Sequence, residues 1–482
     1  MPTAVVAGGS VSGLASAIAL SSIGYRVLVL ERAAPPPRRP LAEVAHAWRD
    51  RPTVPQSLQS HTLTSLGVRA LRTWAPDVLA QAEAAGAPLL DLTHAIPAHA
   101  TDRDRRAGDE DLVALGCRRT TLEHLLHEAA GARPGVSFRH GTVVSGMELD
   151  RSRRRVRSVL THRGERIPAD VLVDATGRRA ASRRWLGDAG VPVAEDRTSP
   201  AGLSGYSRFY RLDAPGLPGP LNRGHATGDV WNHYAGVLHP GDDGTFAIAL
   251  GTLPGDRALA GLRTEAGFTA AARATPGLEP WLEDGVSTPI SPVHVITSPP
   301  NTLRGGATTL QHPVAGLFPV GDAACVTNPL FGRGMSLALE HAFRVAELLA
   351  DRPGVDTDQR RAVARMTEDL LLPWYEHSAA SDQARIARWR AAVDVLPPPG
   401  HTPSPSGPPA LRDLAAAARA DGVVWRGLTR VLMSLTTPAE ALRDEELLRR
   451  VRAARPEGVP ERLPPDREAL VRLVAAAEGA LP

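Results

Sequence analysis

The chain has 482 residues, 43% of them hydrophobic, which predicts about two to three structural units with a large core. No apolar stretch approaches the roughly 18 residues of a membrane span, no signal-peptide pattern opens the chain, and two cysteines exclude a disulfide framework, so we expect a cytoplasmic protein. The net charge is only +3, all 55 basic residues are arginine and aromatic residues reach 4%, which excludes lysine catalysis and argues against nucleic-acid binding.

The N-terminal residues form the first recognisable unit. Two short apolar runs, 3–7 and 26–30, are typical of buried strands, and the residues between them predict a helix over 13–22 that Gly24 ends. This pattern is the start of a βαβ unit. A loop and helix excursion follows over 35–105.

Further elements follow from periodicity. Helical patterns cover 64–85 and 119–131, and alternating apolar residues in 200–300 predict an antiparallel sheet with a hairpin turn at 240–244. A helix is predicted over 334–349. Other strands are predicted at 136–144, 156–162 and 171–174 and near Val293 and Phe318.

These elements predict an α/β protein. Residues 1–190 and 301–352 form the two parts of a Rossmann-type nucleotide-binding domain, and residues 191–300 form an inserted sheet domain that binds the substrate. Residues 353–482 are a helical region. It contains a linker rich in proline, serine and glycine at 396–409, followed by two or three helices.

The run Gly-Gly-Ser-Val-Ser-Gly at 8–13 matches the dinucleotide fingerprint between a strand and a helix. Glycines serve the tight turn and the close backbone approach to pyrophosphate, and the helix N-terminus attracts its charge. An acidic residue at the end of the second strand suits ribose hydroxyls. The motif does not decide between FAD and NAD. The residues predicted to bind the nucleotide are Gly8, Ser10, Val11, Ser12, Gly13, Glu31 and Arg32.

A second motif decides the cofactor. Gly-Leu-Phe-Pro-Val-Gly-Asp-Ala-Ala at 316–324, followed by Asn-Pro-Leu-Phe-Gly-Arg-Gly-Met-Ser at 328–336, resembles the GD motif of group A flavin monooxygenases. The resemblance implies a para-hydroxybenzoate-hydroxylase-like fold, with a GR2-like FAD-binding domain, in which Asp322 binds the ribityl chain. It also implies that backbone amides of the next loop stabilise negative charge on the flavin. The loop residues concerned are Pro329, Gly332, Gly334, Met335 and Ser336.

A third segment, Arg119-Thr-Thr-Leu-Glu, resembles the Arg-x-x-Leu-Glu segment of the same family, whose arginine contacts FAD. Arg118 is the alternative assignment. Surface arginines without a cofactor role are a further reading.

Part of the chain resembles an actinobacterial branch related to squalene and polyether epoxidases. The similar segments are Pro55-Gln56, His61, Gly267-Phe268 and 425–448, but Gln59 replaces the first histidine of the branch's Pro-Gln-x-x-His-x-His pattern. This resemblance makes His61 and Gln59 candidates for facing the flavin. A lone histidine is more often structural, so no catalytic residue is assigned with certainty.

The remaining histidines do not predict a metal site. His225, His233 and His239 lack the spacing of metal ligands, and we expect no metal.

The family resemblance implies that reduced FAD reacts with O2 to form a C4a-hydroperoxide, which oxidises a small-molecule substrate. Electrons come from NADPH or NADH. Asp174-Ala-Thr-Gly replaces the usual DG motif, with Thr176 in place of the aspartate. Direct use of NADPH and a separate flavin reductase therefore both stay open.

The resulting hypothesis is an FAD-dependent monooxygenase of secondary metabolism, such as antibiotic biosynthesis, that epoxidises or hydroxylates a small hydrophobic intermediate. An FAD-dependent reductase of the geranylgeranyl-reductase kind is the main alternative. A flavin halogenase is disfavoured because the chain lacks lysine and a Trp-x-Trp segment. A non-catalytic FAD-binding protein is the remaining alternative.

Overall fold

The computed structural model describes residues 1–48, 51–395, 410–454 and 463–479. The linker predicted at 396–409 lies outside these residues. The α-helices of the described residues are α1 (Val11–Ser22), α2 (Leu41–Ala47), α3 (Ser65–Trp74), α4 (Pro76–Ala84), α5 (Arg119–Ala132), α6 (Ser182–Asp188), α7 (Glu265–Arg273), α8 (Gly305–Thr308), α9 (Gly334–Asp351), α10 (Thr357–Val393), α11 (Leu411–Ala417), α12 (Gly422–Leu432), α13 (Pro438–Ala441), α14 (Glu445–Ala453) and α15 (Arg467–Gly479). The strands are β1 (Thr3–Ala7), β2 (Arg26–Leu30), β3 (Leu89–Asp91), β4 (Val113–Leu115), β5 (Val136–Arg139), β6 (Val144–Leu149), β7 (Val156–Thr161), β8 (Arg166–Pro168), β9 (Val171–Asp174), β10 (Arg197–Ser199), β11 (Ser204–Leu212), β12 (Thr227–Val230), β13 (Ala235–Pro240), β14 (Thr245–Thr252), β15 (Ser287–Pro289), β16 (His294–Thr297), β17 (Asn301–Leu303), β18 (Leu317–Pro319) and β19 (Cys325–Val326).

The central sheet is parallel, in the order β18-β9-β1-β2-β5. Successive side chains of a strand point to opposite faces, and both faces of this sheet are buried. Ala4 and Val6 pack against the helices α1, α5 and α9, whereas Val5 and Ala7 pack against the antiparallel strands β6 and β7. This burial on both faces explains the continuous apolar runs at 3–7 and 26–30.

A second, antiparallel sheet follows the order β12-β13-β14-β11-β15, with β16 also paired to β11. The predicted hairpin joins β13 to β14, where the amide of Gly241 donates to Thr245 O at 2.7 Å. One face of the sheet is covered by α7 and α15, and Leu238, Ile248 and Phe268 are buried between them.

Two predicted elements are divided by turns. The predicted helix 64–85 ends at Trp74 and resumes at Pro76, because proline lacks the amide that would continue the helix and suits the first helical turn. The predicted strand 136–144 ends at Arg139. Gly141 then adopts a φ of +66° in the turn that leads into β6.

The C-terminal region has more helices than the two or three predicted. The described residues contain five helices after 409, α11 to α15, because Asp421, Thr437 and Asp444 each cap a new helix start with a side-chain oxygen. Before them lies α10, a helix of 37 residues within the region predicted to be helical, although its bounds were not predicted. No helix among the described residues is both long and apolar enough to cross a membrane.

Candidate cofactor site and substrate face

The glycine turn, residues 8–13, joins β1 to α1. Gly8 has a φ of +111°, and a Cβ atom there would lie 2.4 Å from Ala175 O. A Cβ atom on Gly13 would lie 1.9 Å from Gly8 O, so neither position accepts a side chain. The helix begins at Val11, and the Ser10 side chain does not cap it, which leaves the first amides of the helix available to an anion.

Glu31 supports this turn from the end of β2. Its buried carboxylate accepts from Gly9 N and from Ala33 N, each at 2.7 Å. Each carboxylate oxygen has a second lone pair, so the group could also accept from ribose hydroxyls. Arg32 lies beside Arg179, and burial together with this like charge lowers the pKa of Arg32.

The structure brings Arg119 to the glycine turn. Its Nη2 donates to Ser10 Oγ at 3.1 Å, and its Nε donates to Glu123 at 3.3 Å. Glu123 is fully buried and also binds Arg51 at 2.5 Å, which fixes its position. Arg118 is instead paired with Asp242 at 2.6 Å, in the turn between β13 and β14. Arg119 is therefore the arginine of this pair that faces the predicted nucleotide site.

Asp322 lies in a turn directly after β18 and next to the start of α1. A Cβ atom on Gly321, which has a φ of +63°, would lie 2.7 Å from Ser12 Cβ, so the two motifs are in contact. No described residue donates a hydrogen bond to the Asp322 carboxylate. Burial raises the pKa of Asp322, and the positive charges of Arg119, Arg178 and Arg304 oppose this shift.

The loop 329–336 follows. It begins with a single helical turn, Pro329–Phe331, capped by Asn328 Oδ1, which accepts from Leu330 N at 2.9 Å. Gly332 has a φ of +64°. The 18-residue helix α9 then begins at Gly334 without a side-chain cap, so its first amides are open.

The side chains of the last two predicted loop residues point into the protein. Met335 is buried, and Ser336 Oγ accepts from Thr64 N at 3.1 Å and from Thr64 Oγ1 at 2.8 Å. Any contact of these residues with a cofactor would therefore come from the backbone.

Arg333 is a buried cation of the same loop that the sequence did not single out. It is 1% exposed, lies between the rings of Phe331 and Trp374 at 4.6 and 4.8 Å, and its Nη1 lies 3.1 Å from His377 Nδ1. Burial lowers the pKa of Arg333 to about 9. The loop is thus attached to α10 through a stacked guanidinium group.

A second connection to α10 is the buried network around Asp382. Its carboxylate accepts from Asn301 Nδ2 at 2.8 Å, Asn328 Nδ2 at 2.7 Å and Arg385 Nη2 at 3.0 Å. Asn301 Oδ1 also accepts from Asn328 N at 2.7 Å. These bonds fix the residue that precedes Pro329. A charged pair three residues apart, at 382 and 385, was the only sequence signal for this network.

The segment 59–62 lies between this loop and the antiparallel sheet. Gln59 Oε1 accepts from Ser207 Oγ at 2.9 Å, so this side chain faces the sheet. His61 Nδ1–H donates to Gln59 O at 2.8 Å, and burial lowers the pKa of His61 to about 3. Thr62 Cγ2 would lie 3.6 Å from a Cβ atom on Gly332, which places the segment against the loop. That Gln59 and His61 face a flavin stays a prediction.

The residues in place of the DG motif accept hydrogen bonds from backbone amides of their own turn. Asp174 Oδ1 accepts from Thr176 N at 3.0 Å and from Thr176 Oγ1 at 2.6 Å, and Asp174 Oδ2 accepts from Ser182 N at 2.7 Å. Thr176 Oγ1 in turn accepts from Ala181 N at 3.0 Å. The turn packs on Gly8 through Ala175.

Within the described part of the chain, no three His, Cys, Asp or Glu residues are arranged to hold a metal ion.

Comparisons with known proteins give two curated relatives. No family model matches the chain. It is 27% identical over 421 residues to Protein Rv3254 of Mycobacterium tuberculosis, covering 82% of each chain. It is 26% identical over 406 residues to violacein synthase of Chromobacterium violaceum, covering 82% of this chain and 86% of that protein.

Solved structures share the fold. PqsL, a probable FAD-dependent monooxygenase from Pseudomonas aeruginosa, has a TM-score of 0.57 at 16% identity and covers 82% of this chain and 100% of its own. OxyS anhydrotetracycline hydroxylase from Streptomyces rimosus has a TM-score of 0.56 at 15% identity and covers 90% of this chain and 76% of its own. The flavin-dependent brominase Bmp2 has a TM-score of 0.55 at 15% identity and covers 79% of this chain and 88% of its own. The predicted fold class is confirmed: the chain has the α/β fold, with a Rossmann-type domain and an inserted sheet, that FAD-dependent monooxygenases and halogenases share.

Proposed function

We propose that this protein is an FAD-dependent monooxygenase that adds one oxygen atom to a small hydrophobic intermediate of secondary metabolism. The observation that carries the proposal is the convergence of the glycine turn, Arg119 and Asp322 on one site beside the start of α9. Reduced FAD supplies the oxygen chemistry when it is bound. The fold it shares with monooxygenases supports this reading.

The residues present fit FAD. The glycine turn is a cradle that a Cβ atom would fill, and Asp322 is a carboxylate to which no described residue donates. The turn and Arg119 would hold the pyrophosphate, Glu31 the adenosine ribose and Asp322 the ribityl hydroxyls. The open amides of α9 would face the flavin.

The protein's own contribution to the reaction is to orient the substrate and exclude water. We place the substrate between the loop 329–336 and the antiparallel sheet, next to segment 59–62. Both hydroxylation and epoxidation fit this position, and the resemblance to squalene and polyether epoxidases favours epoxidation of an olefin.

We further propose that a separate flavin reductase supplies electrons from NADPH or NADH in the cytoplasm. The turn at Asp174 supports this, because Thr176 stands in place of the aspartate of the DG motif and Asp174 is fully buried. Direct reduction by NADPH or NADH is the alternative. Reduction of the bound flavin by NADPH without a reductase would establish it.

The function is tested by incubating the FAD-loaded protein with a flavin reductase, NADPH and aromatic and olefinic substrates under isotopically labelled O2. Products carrying one labelled oxygen atom are expected, and reductase with free FAD is the control. Unlabelled products would contradict the proposal. Turnover under strict anaerobiosis would instead establish a reductase, and a bound flavin that no donor reduces would establish a non-catalytic protein.

A halogenase is the second candidate, because the brominase Bmp2 shares the fold. The absence of lysine and of a Trp-x-Trp segment counts against it. Adding bromide and chloride to the same assay decides between the two. Halogenated products would replace the monooxygenase proposal.

Replacing Arg119 by glutamine is expected to weaken FAD binding by about tenfold, because a charge-assisted hydrogen bond to the pyrophosphate is lost. Arg118→Gln should leave FAD affinity near that of the wild type. It should instead lower the melting temperature, because the buried Asp242 loses its cationic partner. Titration of the apoprotein with FAD and thermal unfolding measure the two effects. The opposite pattern would assign the cofactor contact to Arg118.

FAD affinity is expected to rise with pH through the raised pKa of Asp322, which lies above its usual value of 3.8. The ribityl hydroxyls would donate to the carboxylate, so FAD binds the deprotonated form better. Below that pKa, binding must release a proton, and affinity falls by up to about tenfold per pH unit. Titrations of the apoprotein with FAD at pH values from about 4.5 to about 7.5 measure the slope of affinity against pH.

The matched controls are Asp322→Asn, which should abolish this slope, and Asp188→Asn at an exposed surface position, which should keep it. A slope that survives in Asp322→Asn would show that another group titrates.

A further inference from the structure

A cleft lies beside β18, the edge strand of the parallel sheet. It holds about 310 Å³ of empty space, part of which is open to solvent. Its walls come from α6, the segment 192–194, the helix α8 and the segment 309–314. Leu317, the first residue of β18, lines the cleft, whereas Asp322 follows the other end of that strand. None of the residues proposed to hold FAD lines the cleft, so it is a separate site.

Arg360 brings a positive charge to this cleft from the first turn of α10. The residue is only 4% exposed. Its Nη2 donates to Gly306 O at 2.8 Å and to Ala307 O at 3.3 Å. Its Nη1 is buried and donates to no described residue. A buried charged donor without an acceptor is costly, so this side chain indicates a ligand that accepts from it.

The described residues supply no carboxylate to neutralise this guanidinium. Burial lowers the pKa of Arg360 to about 10, with no opposing effect from a neighbouring acid, so the group is charged near neutral pH. The acids nearest along the chain have other partners. Asp356 caps α10 and accepts from Gln359 N at 2.8 Å, and Asp358 pairs with Arg361 at 2.8 Å. The helix dipole also disfavours a cation in a first turn, which adds to the need for an anion.

The other residues of the cleft decide which anion fits. Leu186, Val193 and Val314 form apolar walls. Thr309 Oγ1 accepts from Gln311 N at 3.1 Å, and its own hydroxyl hydrogen has no described acceptor. A phosphate or sulfate needs more donors than one guanidinium and one hydroxyl. A carboxylate on a short apolar chain matches a single guanidinium between apolar walls.

We propose that this cleft binds a small organic carboxylate, whose anion pairs with Arg360 and whose short apolar chain lies against Leu186 and Val193. The site goes beyond the proposed function and does not depend on it. Arginine suits this ligand because its planar guanidinium matches the geometry of a carboxylate. The ligand supplies the missing countercharge of a buried cation, so its binding stabilises the folded protein.

The test titrates the purified full chain with butyrate and with butyramide, its neutral analogue, by calorimetry in a buffer without other carboxylates. The wild type should bind butyrate with a Kd on the order of 1 mM. Butyramide should bind at least about tenfold more weakly, because the charge-assisted hydrogen bond is lost. Butyrate should also raise the melting temperature. Sodium chloride at the same concentration should not displace it.

Two variants remove the site in different ways. Arg360→Gln should bind butyrate no better than butyramide. Its amide can still donate to Gly306 O and it removes a buried charge, so without butyrate it should melt at or above the wild-type temperature. Gly306→Leu fills the cleft but keeps the charge, because the nearest atom to a Cβ atom there, outside its own helix, is Val193 Cγ1 at 3.9 Å. It should also lose butyrate binding.

Arg361→Gln is the matched control, because it removes the next arginine of the same helix, which is paired with Asp358. This variant should bind butyrate as the wild type does. Failure of the wild type to bind butyrate, equal binding of the two probes, or butyrate binding that persists in Arg360→Gln and Gly306→Leu would overturn the proposal. Displacement of butyrate by chloride would assign the cleft to inorganic anions and overturn the carboxylate class.

Discussion

Gly13→Ala is expected to yield a folded protein that binds FAD at least a hundredfold more weakly, a loss of about 2.7 kcal/mol. The new Cβ atom would lie 1.9 Å from Gly8 O and 2.9 Å from Gly8 C, and these are backbone atoms that no rotamer change can move. The turn must open, which withdraws the first amides of α1 from the pyrophosphate. Flavin absorbance after purification and titration of the apoprotein measure the loss.

Gly187→Ala in α6 is the matched control, because a Cβ atom there would have no neighbour within 4 Å. It should keep its flavin and gain stability by up to about 1 kcal/mol, since alanine favours helix more than glycine. A Gly13→Ala variant with normal flavin content would show that the pyrophosphate binds elsewhere. Circular dichroism of both variants separates loss of flavin from loss of fold.

The second large effect is expected at Asp382. Asp382→Ala should lower the free energy of unfolding by about 3–5 kcal/mol, because it leaves the buried Arg385 without its anionic partner and removes the acceptor of Asn301 and Asn328. It should also release FAD more readily, since Asn328 precedes the loop 329–336. Urea unfolding followed by tryptophan fluorescence measures the stability.

The control is Glu376→Ala in the same helix, which removes an exposed pair with Arg197 at 3.1 Å. Its effect on the free energy of unfolding should stay within about 0.5 kcal/mol. If Asp382→Ala were as mild as this control, the buried network would not be what holds the loop.

The parts of the fold that depend on local sequence were predicted well. The strands at 3–7, 26–30 and 171–174 have the predicted bounds, because buried parallel strands are continuous apolar runs between turn residues. The glycine turn and Asp322 could be found for a similar reason. Their backbone requirements leave a short, specific pattern in the sequence.

The contacts between distant segments could not be predicted. That Ser60 Oγ lies 2.9 Å from His239 Nδ1 depends on how segment 59–62 packs on the sheet, and no single strand pattern records this. The bounds of α10, within the predicted helical region, could not be predicted because its buried positions include polar and charged residues such as Gln359, Asp382 and Arg385. These interrupt the apolar stripe by which a helix is recognised.

This helix also limits how the protein can be redesigned. At about 1.5 Å per residue, its 37 residues span on the order of 55 Å. Trp374 stacks on Arg333 of the loop 329–336, Arg385 donates to the backbone of Gly202 at 3.0 Å, and Trp389 Nε1 donates to Trp231 O at 2.9 Å. The single helix α10 thus contacts both the loop 329–336 and the region of the antiparallel sheet. A chimera that imports the sheet from a relative must import residues 374–389 with it, because the sheet is not an exchangeable module by itself.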